Sequence, residues 1–449
     1  MRFTVLALGV VGCSDPVKST PLSRTERLDP ASCASCHPSQ YTEWAGSMHA
    51  YAAEDPVFIA MNARGQRETN GALGDFCVQC HAPVALAEGL TDDGTDLDSV
   101  EPSLRGVTCT ACHQIDSVDG DHNNATTWIP DTFFRGSLDR PMPTPAHGHR
   151  DSTLHDRDAL QSADMCGSCH DVITPAGIEL ERTWREWQSS QYSLSDARLQ
   201  QTCGSCHMPG RDGRAAEVDG APDRRIHSHA MPGVDIALTG FPDATNQRAM
   251  VQAALDSTVW LQLDVFDYGL GTGVTVSLDN VAAGHDFPSG SAHDRRAWVE
   301  VVARDATGTV LWSTGVVGEG VPLRDVMATD PELWWLGDRT ATPDGNDAHM
   351  FWEVASIEEG GLAPPSRFRV DDPRYTEPHV TRTFDMGTVT PDTVEAAIHI
   401  RPVGLDVIDS LIDSGDLDPA IRDRIPTFTL DGSVTRWSAT EATEEDSGQ

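Results

Sequence analysis

The pattern of apolar and polar positions divides the chain into unlike halves. Past about residue 235, segments rich in Val, Thr, Trp and Phe alternate with polar positions at 274–278, 298–302, 310–312, 350–354, 380–384 and 394–400. Turn residues such as Asp305-Ala306-Thr307-Gly308 separate them. Period-two alternation between turns is the strand pattern. About six to eight short strands at this spacing predict an all-β sandwich over residues 236–440. Residues 404–413 read as a short helix, and the acidic stretch 441–449 as a disordered tail.

At the other end, Arg2 precedes an apolar run from Phe3 to Val11, the layout of a short secretory signal over residues 1–12. The run closes on Val10-Val11-Gly12-Cys13, which resembles the lipobox of bacterial lipoproteins. The resemblance implies that Cys13 is an acylated lipid anchor, and Ser14 resembles the sorting residue of outer-membrane lipoproteins. Residues 13–30, polar and containing Pro16, Pro21 and Pro30, read as a flexible tether. No run of 18 apolar residues occurs, so the expected membrane contact is through the lipid alone.

Charge narrows the partners. With 32 Lys+Arg against 69 Asp+Glu the formal net charge is −37, which excludes a phosphate-binding face and hence a nucleic-acid partner. Charged residues make up 22% and hydrophobic residues 39%, so the chain as a whole is not an acidic disordered polymer.

The decisive pattern is that of the cysteines. Apart from Cys13, all ten belong to five C-x-x-C-H units: Cys33, Cys36 and His37; Cys77, Cys80 and His81; Cys109, Cys112 and His113; Cys166, Cys169 and His170; Cys203, Cys206 and His207. This is the haem c attachment spacing. Two thiols three positions apart add to the vinyl groups on one porphyrin edge, and the adjacent His ligates iron from the proximal side. Four-thiolate zinc sites, redox dithiols and disulfides also use C-x-x-C, but none requires the following His. His occupies 17 of 449 positions, so five such coincidences have a chance probability on the order of 10⁻⁷. Five haem c groups are therefore expected, attached after export.

Residues 33–207 give 35 residues per haem, too little chain for an ordinary apolar core. The porphyrins themselves must form it, with short helices carrying the motifs and little other regular structure. The predicted architecture is α+β and multidomain: a mostly helical, loop-rich pentahaem domain over 31–235, followed by the sandwich.

The second axial position of each iron decides between electron transfer and chemistry. His49 is the first distal candidate, on a helix after the first motif. His147 or His149 in a Pro-rich loop can reach back to an earlier haem, with His155 a third choice. One of His227 and His229 is expected to ligate, His229 being preferred, and His122 follows the third motif. Met48, Met165, Met208 and Met231 compete, though Met often only fills gaps. The segment Glu43-Trp44…Ser47…His49 recurs as Glu186-Trp187…Ser190…Tyr192, a weak internal repeat in which Tyr replaces His. Tyr192 is expected to pack or hydrogen-bond. In the second half, Gly284-His285 followed by Pro288 marks a shaped loop whose His is either a distal ligand or a buried turn residue.

The block 106–113 (GVTCTACH), the block 77–83 (CVQCHAP) and the Trp44…Ser47-Met48-His49 segment resemble multihaem cytochromes of the cytochrome c-554 type. The resemblance covers roughly residues 31–235. It implies stacked haem pairs, mostly bis-His, and electron transfer. Pentahaem nitrite reductases carry Lys in place of one motif His, and hydroxylamine oxidoreductases carry more haems. Neither pattern is met, and no catalytic triad, phosphate loop or dinucleotide fingerprint is present. The expected role is electron exchange with a redox protein partner bearing a basic docking face, in the periplasm or at the cell surface. Two alternatives remain: reduction or oxidation of a small nitrogen or sulfur oxyanion at one open haem, and a haem-wire filament in which copies of the chain associate.

Overall fold

The computed structural model describes residues 20–138 and 141–440. The signal segment, the proposed anchor Cys13, the first part of the tether and the 441–449 tail lie outside the described residues. No helix among the described residues is long and apolar enough to cross a membrane.

In the first half the helices are short and each has a local cause. Asp55 caps the helix Pro56–Glu68 by accepting from the Val57 N–H at 2.9 Å, and Pro56 is preset for the first turn. Each motif sits on a single helical turn, as in Cys109–His113 and Cys203–His207. The turn is closed by bonds from the motif His N–H to the first Cys carbonyl, at 2.8 Å for His37, 3.2 Å for His81 and 3.0 Å for His170. Positions i, i+3 and i+4 of a helix share one face, so both thiols and the imidazole of a motif face the same way.

Among these turns, and just after the last, lie four small two-stranded sheets that the sequence pattern does not announce. Ile115–Val118 pairs with Thr126–Trp128, Phe133–Gly136 with Gly148–Asp151, Val172–Ile173 with Glu179–Glu181, and Gly210–Arg214 with Asp223–His227. Their strands are two to five residues long and largely polar, so no period-two apolar signal marks them.

The second half opens with the helix Ala244–Leu255 and then forms two facing sheets. The three-stranded sheet has the order His379–Asp385, Thr272–Asn280, Val259–Asp267. The six-stranded sheet is built on Arg296–Arg304 paired with Thr393–Arg401. Alternate residues Val274, Val276 and Leu278 of the first sheet meet Val299, Val301, Val394, Ala396, Ile398 and Ile400 of the second in one core. Each fully buried aliphatic side chain there contributes about 1.5–3 kcal/mol. Arg296–Arg304 is buried on both faces because Leu323, Leu333 and Trp335 cover Trp298 on the outer side.

The α+β reading holds, with one local correction. Residues 350–354, read as a strand, form the 3₁₀ turn Phe351–Glu353. The Glu353 carboxylate accepts the N–H groups of His349 and Met350, each at 3.2 Å, and so satisfies the donors a ladder would have used. The helix Leu405–Asp413 forms over nearly the residues read as helical. Its Val407, Ile408 and Leu411 pack against Val57 and Ala60 of the helix Pro56–Glu68, joining the two halves through a shared apolar cluster.

Candidate functional site

All fifteen motif residues line one continuous cavity of about 1980 Å³. A site for one small ligand measures about 300–1,000 Å³, so this volume is that of a cofactor array. The ten motif cysteines form no disulfide, and among the described residues no group of three His, Cys, Asp or Glu side chains makes a bare metal-ion site. Thiols of different motifs are neighbours: Cys33 lies beside Cys109, Cys80 beside Cys169, and Cys166 beside Cys203. The motifs are thus packed against one another rather than strung out.

The imidazoles are held ready as ligands. The Nδ1 atoms of four motif histidines face backbone carbonyls: His37 with Ala215 O at 2.5 Å, His81 with Ala52 O at 3.0 Å, His113 with Arg135 O and His207 with Pro232 O, both at 2.7 Å. An Nδ1–H donating to a carbonyl fixes the tautomer and leaves Nε2 as the metal donor. Burial pushes His49 down to about 3 and His113 and His285 to about 4, and lowers His37, His81, His170 and His229. These rings are neutral at physiological pH, the form that binds metal.

Four motif histidines face a second imidazole across the cavity. Ring centres are 6.4 Å apart for His37 and His147, 6.1 Å for His170 and His49, 6.3 Å for His113 and His229, and 6.4 Å for His207 and His285. Two imidazoles bound through Nε2 on opposite sides of one iron, at roughly 2 Å per metal–nitrogen bond, place their ring centres about 6 Å apart. Three of the facing rings also turn Nδ1 to a carbonyl: His147 to Gly148 O and His229 to His227 O at 3.0 Å, and His285 to Asp286 O at 2.8 Å. His49 Nδ1 is buried without a partner. The residues therefore fit haem c at these sites.

The fifth motif histidine differs. The His81 ring stacks on Phe58 at 4.0 Å and 3°, and among the described residues no imidazole stands opposite it at ligating separation.

The remaining candidates turn ring nitrogens to other partners, although the His155 ring also stacks on His113 with centres 5.5 Å apart. His155 uses both ring nitrogens, Nδ1 with Ser152 Oγ and Nε2 with Cys112 O, each at 2.9 Å. The His149 Nε2 meets Asp151 at 2.9 Å, and His227 Nδ1 accepts from Arg157 at 3.1 Å. His122 pairs with Asp121 and does not line the cavity. His285, weighed as a ligand or a buried turn residue, is buried and faces His207; its signal in the sequence was the Gly284 to Pro288 loop. Tyr192 does hydrogen-bond, its hydroxyl donating to Val281 O at 2.8 Å.

Residues 32–114 match the family model described as "Cytochrome c554 and c-prime". Across the whole chain the fold is similar to that of a penta-heme cytochrome c552 from Thermochromatium tepidum, with a TM-score of 0.63 and 20% sequence identity over 92% of this chain and 99% of that one. The search of the curated proteins found no match. The fold is that of a multihaem c-type cytochrome.

Proposed function

We propose that the protein is an exported electron-transfer cytochrome carrying five covalent haem c groups, four of them with two axial histidines. The observation that carries this is the set of four imidazole pairs at 6.1–6.4 Å across a cavity lined by every motif. In this reading Cys33, Cys36, Cys77, Cys80, Cys109, Cys112, Cys166, Cys169, Cys203 and Cys206 form the thioethers. His37, His81, His113, His170 and His207 are proximal, and His147, His229, His49 and His285 are distal to all of these but His81. Haem c bound there supplies a one-electron iron couple of tunable potential. The chain holds seven of these nine imidazoles in one tautomer through a backbone carbonyl at Nδ1, buries most of them, and packs the motifs into mutual contact. A lipid anchor at Cys13 would keep the protein at the outer membrane, and the charge of −37 would favour a partner with a basic face.

Metal analysis and low-temperature electron paramagnetic resonance of the purified protein test the reading. Five irons per chain with four low-spin bis-His haems are expected. An iron count of one or two, or a majority of high-spin haems, would overturn it.

The unpaired His81 favours a second reading, in which the iron at this motif takes an exogenous small ligand such as a nitrogen or sulfur oxyanion. Adding nitrite or sulfite to the oxidised protein should then perturb one haem and leave the other four unchanged. Unaltered spectra at millimolar concentrations would exclude it and leave a pure electron carrier.

A further inference from the structure

The weak sequence repeat proves to be a repeat of contacts. Trp44 Nε1–H donates to Val107 O and Trp187 Nε1–H donates to Gln201 O, both at 2.8 Å. Val107 and Gln201 each stand two residues before the first Cys of a motif, at Cys109 and Cys203. The residues between, Thr108 and Thr202, cap the motif helices with nearly identical backbones, φ −83° ψ 171° and φ −84° ψ 169°. In both copies the serine closes the turn on the Trp carbonyl at 2.7 Å.

The glutamates reach the opposite side of the same two sites. Glu43 Oε2 accepts the backbone N–H of His229 at 2.9 Å, and His229 faces His113. Glu186 Oε2 accepts the backbone N–H of Asp286 at 3.1 Å, next to His285, which faces His207; it also accepts the Ser289 hydroxyl at 2.5 Å. Within each copy, the Trp holds the segment bearing the proximal His and the adjacent Glu holds the loop bearing the facing His. The two loops have no common origin: one follows the last motif and the other belongs to the β-half. What recurs is the Glu-Trp…Ser segment that holds them.

We propose that Glu43-Trp44 and Glu186-Trp187 are duplicated positioning pairs that fix the separation of the two axial ligands at the motifs 109–113 and 203–207. Neither carboxylate ligates iron; each acts through the backbone of a distal loop. The inference rests on the ligand pairing proposed above and adds the residues that hold it. A buried backbone N–H that loses its acceptor is left unsatisfied, whether that acceptor is charged or neutral. Burial pushes the Glu186 carboxyl up to about 8, so at neutral pH its bonds are made mostly by the neutral acid. Removing the acceptor frees the loop and lets the distal imidazole leave its site.

The test uses the five-haem holoprotein and reads spin state by electron paramagnetic resonance and by the high-spin charge-transfer band. Glu186→Ala should convert one of five haems to high spin, reproducing the spectrum of His285→Ala. Glu43→Ala should do the same, reproducing His229→Ala, and the double variant should convert two. Glu186→Gln, which keeps an acceptor for the Asp286 N–H, should restore the low-spin signal. Ser289→Ala, a milder change, should shift the potential of the same haem alone. If His285→Ala raises a high-spin signal while Glu186→Ala retains the wild-type spectrum, the positioning role is wrong and the pairing stands. If His285→Ala changes nothing, the pairing is wrong. Should Glu186→Ala lose haem or fail to fold, Ser289→Ala decides: a potential unchanged at every haem overturns the inference.

Discussion

Gly106 adopts φ +74°, and a Cβ there would sit 2.5 Å from Ala50 O and 2.8 Å from His49 O. Its neighbour Val107 donates to the same His49 carbonyl at 2.8 Å while accepting from Trp44. The left-handed conformation costs a residue with a side chain roughly 1–2 kcal/mol, and the clash adds to it. Gly106→Ala should therefore destabilise the holoprotein by at least that amount in thermal unfolding. It should also disturb the haem facing His49 and His170 more than any other, as read by the low-spin signals. A variant with unchanged melting and spectra would show that the turn can move without displacing His49.

Among the elements, the junction between strand Arg296–Arg304 and helix Leu405–Asp413 depends on one buried ion pair. Arg296 Nη2 and Asp406 Oδ2 are 2.6 Å apart, each side chain about 9% exposed. Burial is the largest effect and alone would raise the Asp406 carboxyl, but Arg296, a backbone N–H and the nearby Arg324 together outweigh burial, and the net effect is a lowered value. A carboxylate depressed by folding contributes stability that is present above its unfolded value of about 3.9 and is lost as pH falls through the folded value. Breaking a buried pair from one side costs about 3–5 kcal/mol. Asp406→Ala should lower stability by that order at pH 7, and the difference from wild type should shrink below about pH 4. A pH-independent difference would mean that lost packing, not the charge, explains the cost. The same helix packs on Pro56–Glu68, so the loss should be felt in the haem half as well.

For the whole molecule, apolar cohesion is uneven. The sandwich core gathers residues from both sheets, whereas the clusters in the first half are small, such as Leu28, Val84 and Ala111. The cavity of about 1980 Å³ occupies the place where a core would be. Protein made without haem attachment should be cleaved first within residues 31–235 by limited proteolysis, leaving fragments of the β-half. Equal resistance of both halves would show that haem is not the core. The net charge of −37 leads to a second expectation at this scale. Exposed charges are screened within about 8–10 Å at physiological ionic strength, so electron transfer to a basic partner should slow as salt rises. Insensitivity to salt would leave the acidic surface only a solubilising role.

The sequence by itself determined what is local. A C-x-x-C-H unit closes on one helical turn wherever it falls, so the five motif turns, each with both thiols and the imidazole on one face, were legible without a fold. Five strands of the second half were legible because alternation records which face is buried, as in Thr393–Arg401; Val259–Asp267 and the shorter strands were not called, and 350–354 was misread. His49, His147 and His229 were in the larger candidate set and His285 was weighed without being chosen; these are the rings that face motif histidines at 6.1–6.4 Å, and their ligation is the proposal made above. Spacing does not tell His147 from His149 or His229 from His227. Only the tertiary structure decided which of them faces a motif histidine, because each facing pair joins segments distant in the chain. The outcome depends on which ring turns inward and which nitrogen a carbonyl claims. The role of Glu43 and Glu186 was likewise beyond the sequence, which showed the repeated residues but not the loops they hold. The small sheets among and just after the motifs stayed hidden because strands of two to five mostly polar residues carry no periodic signal.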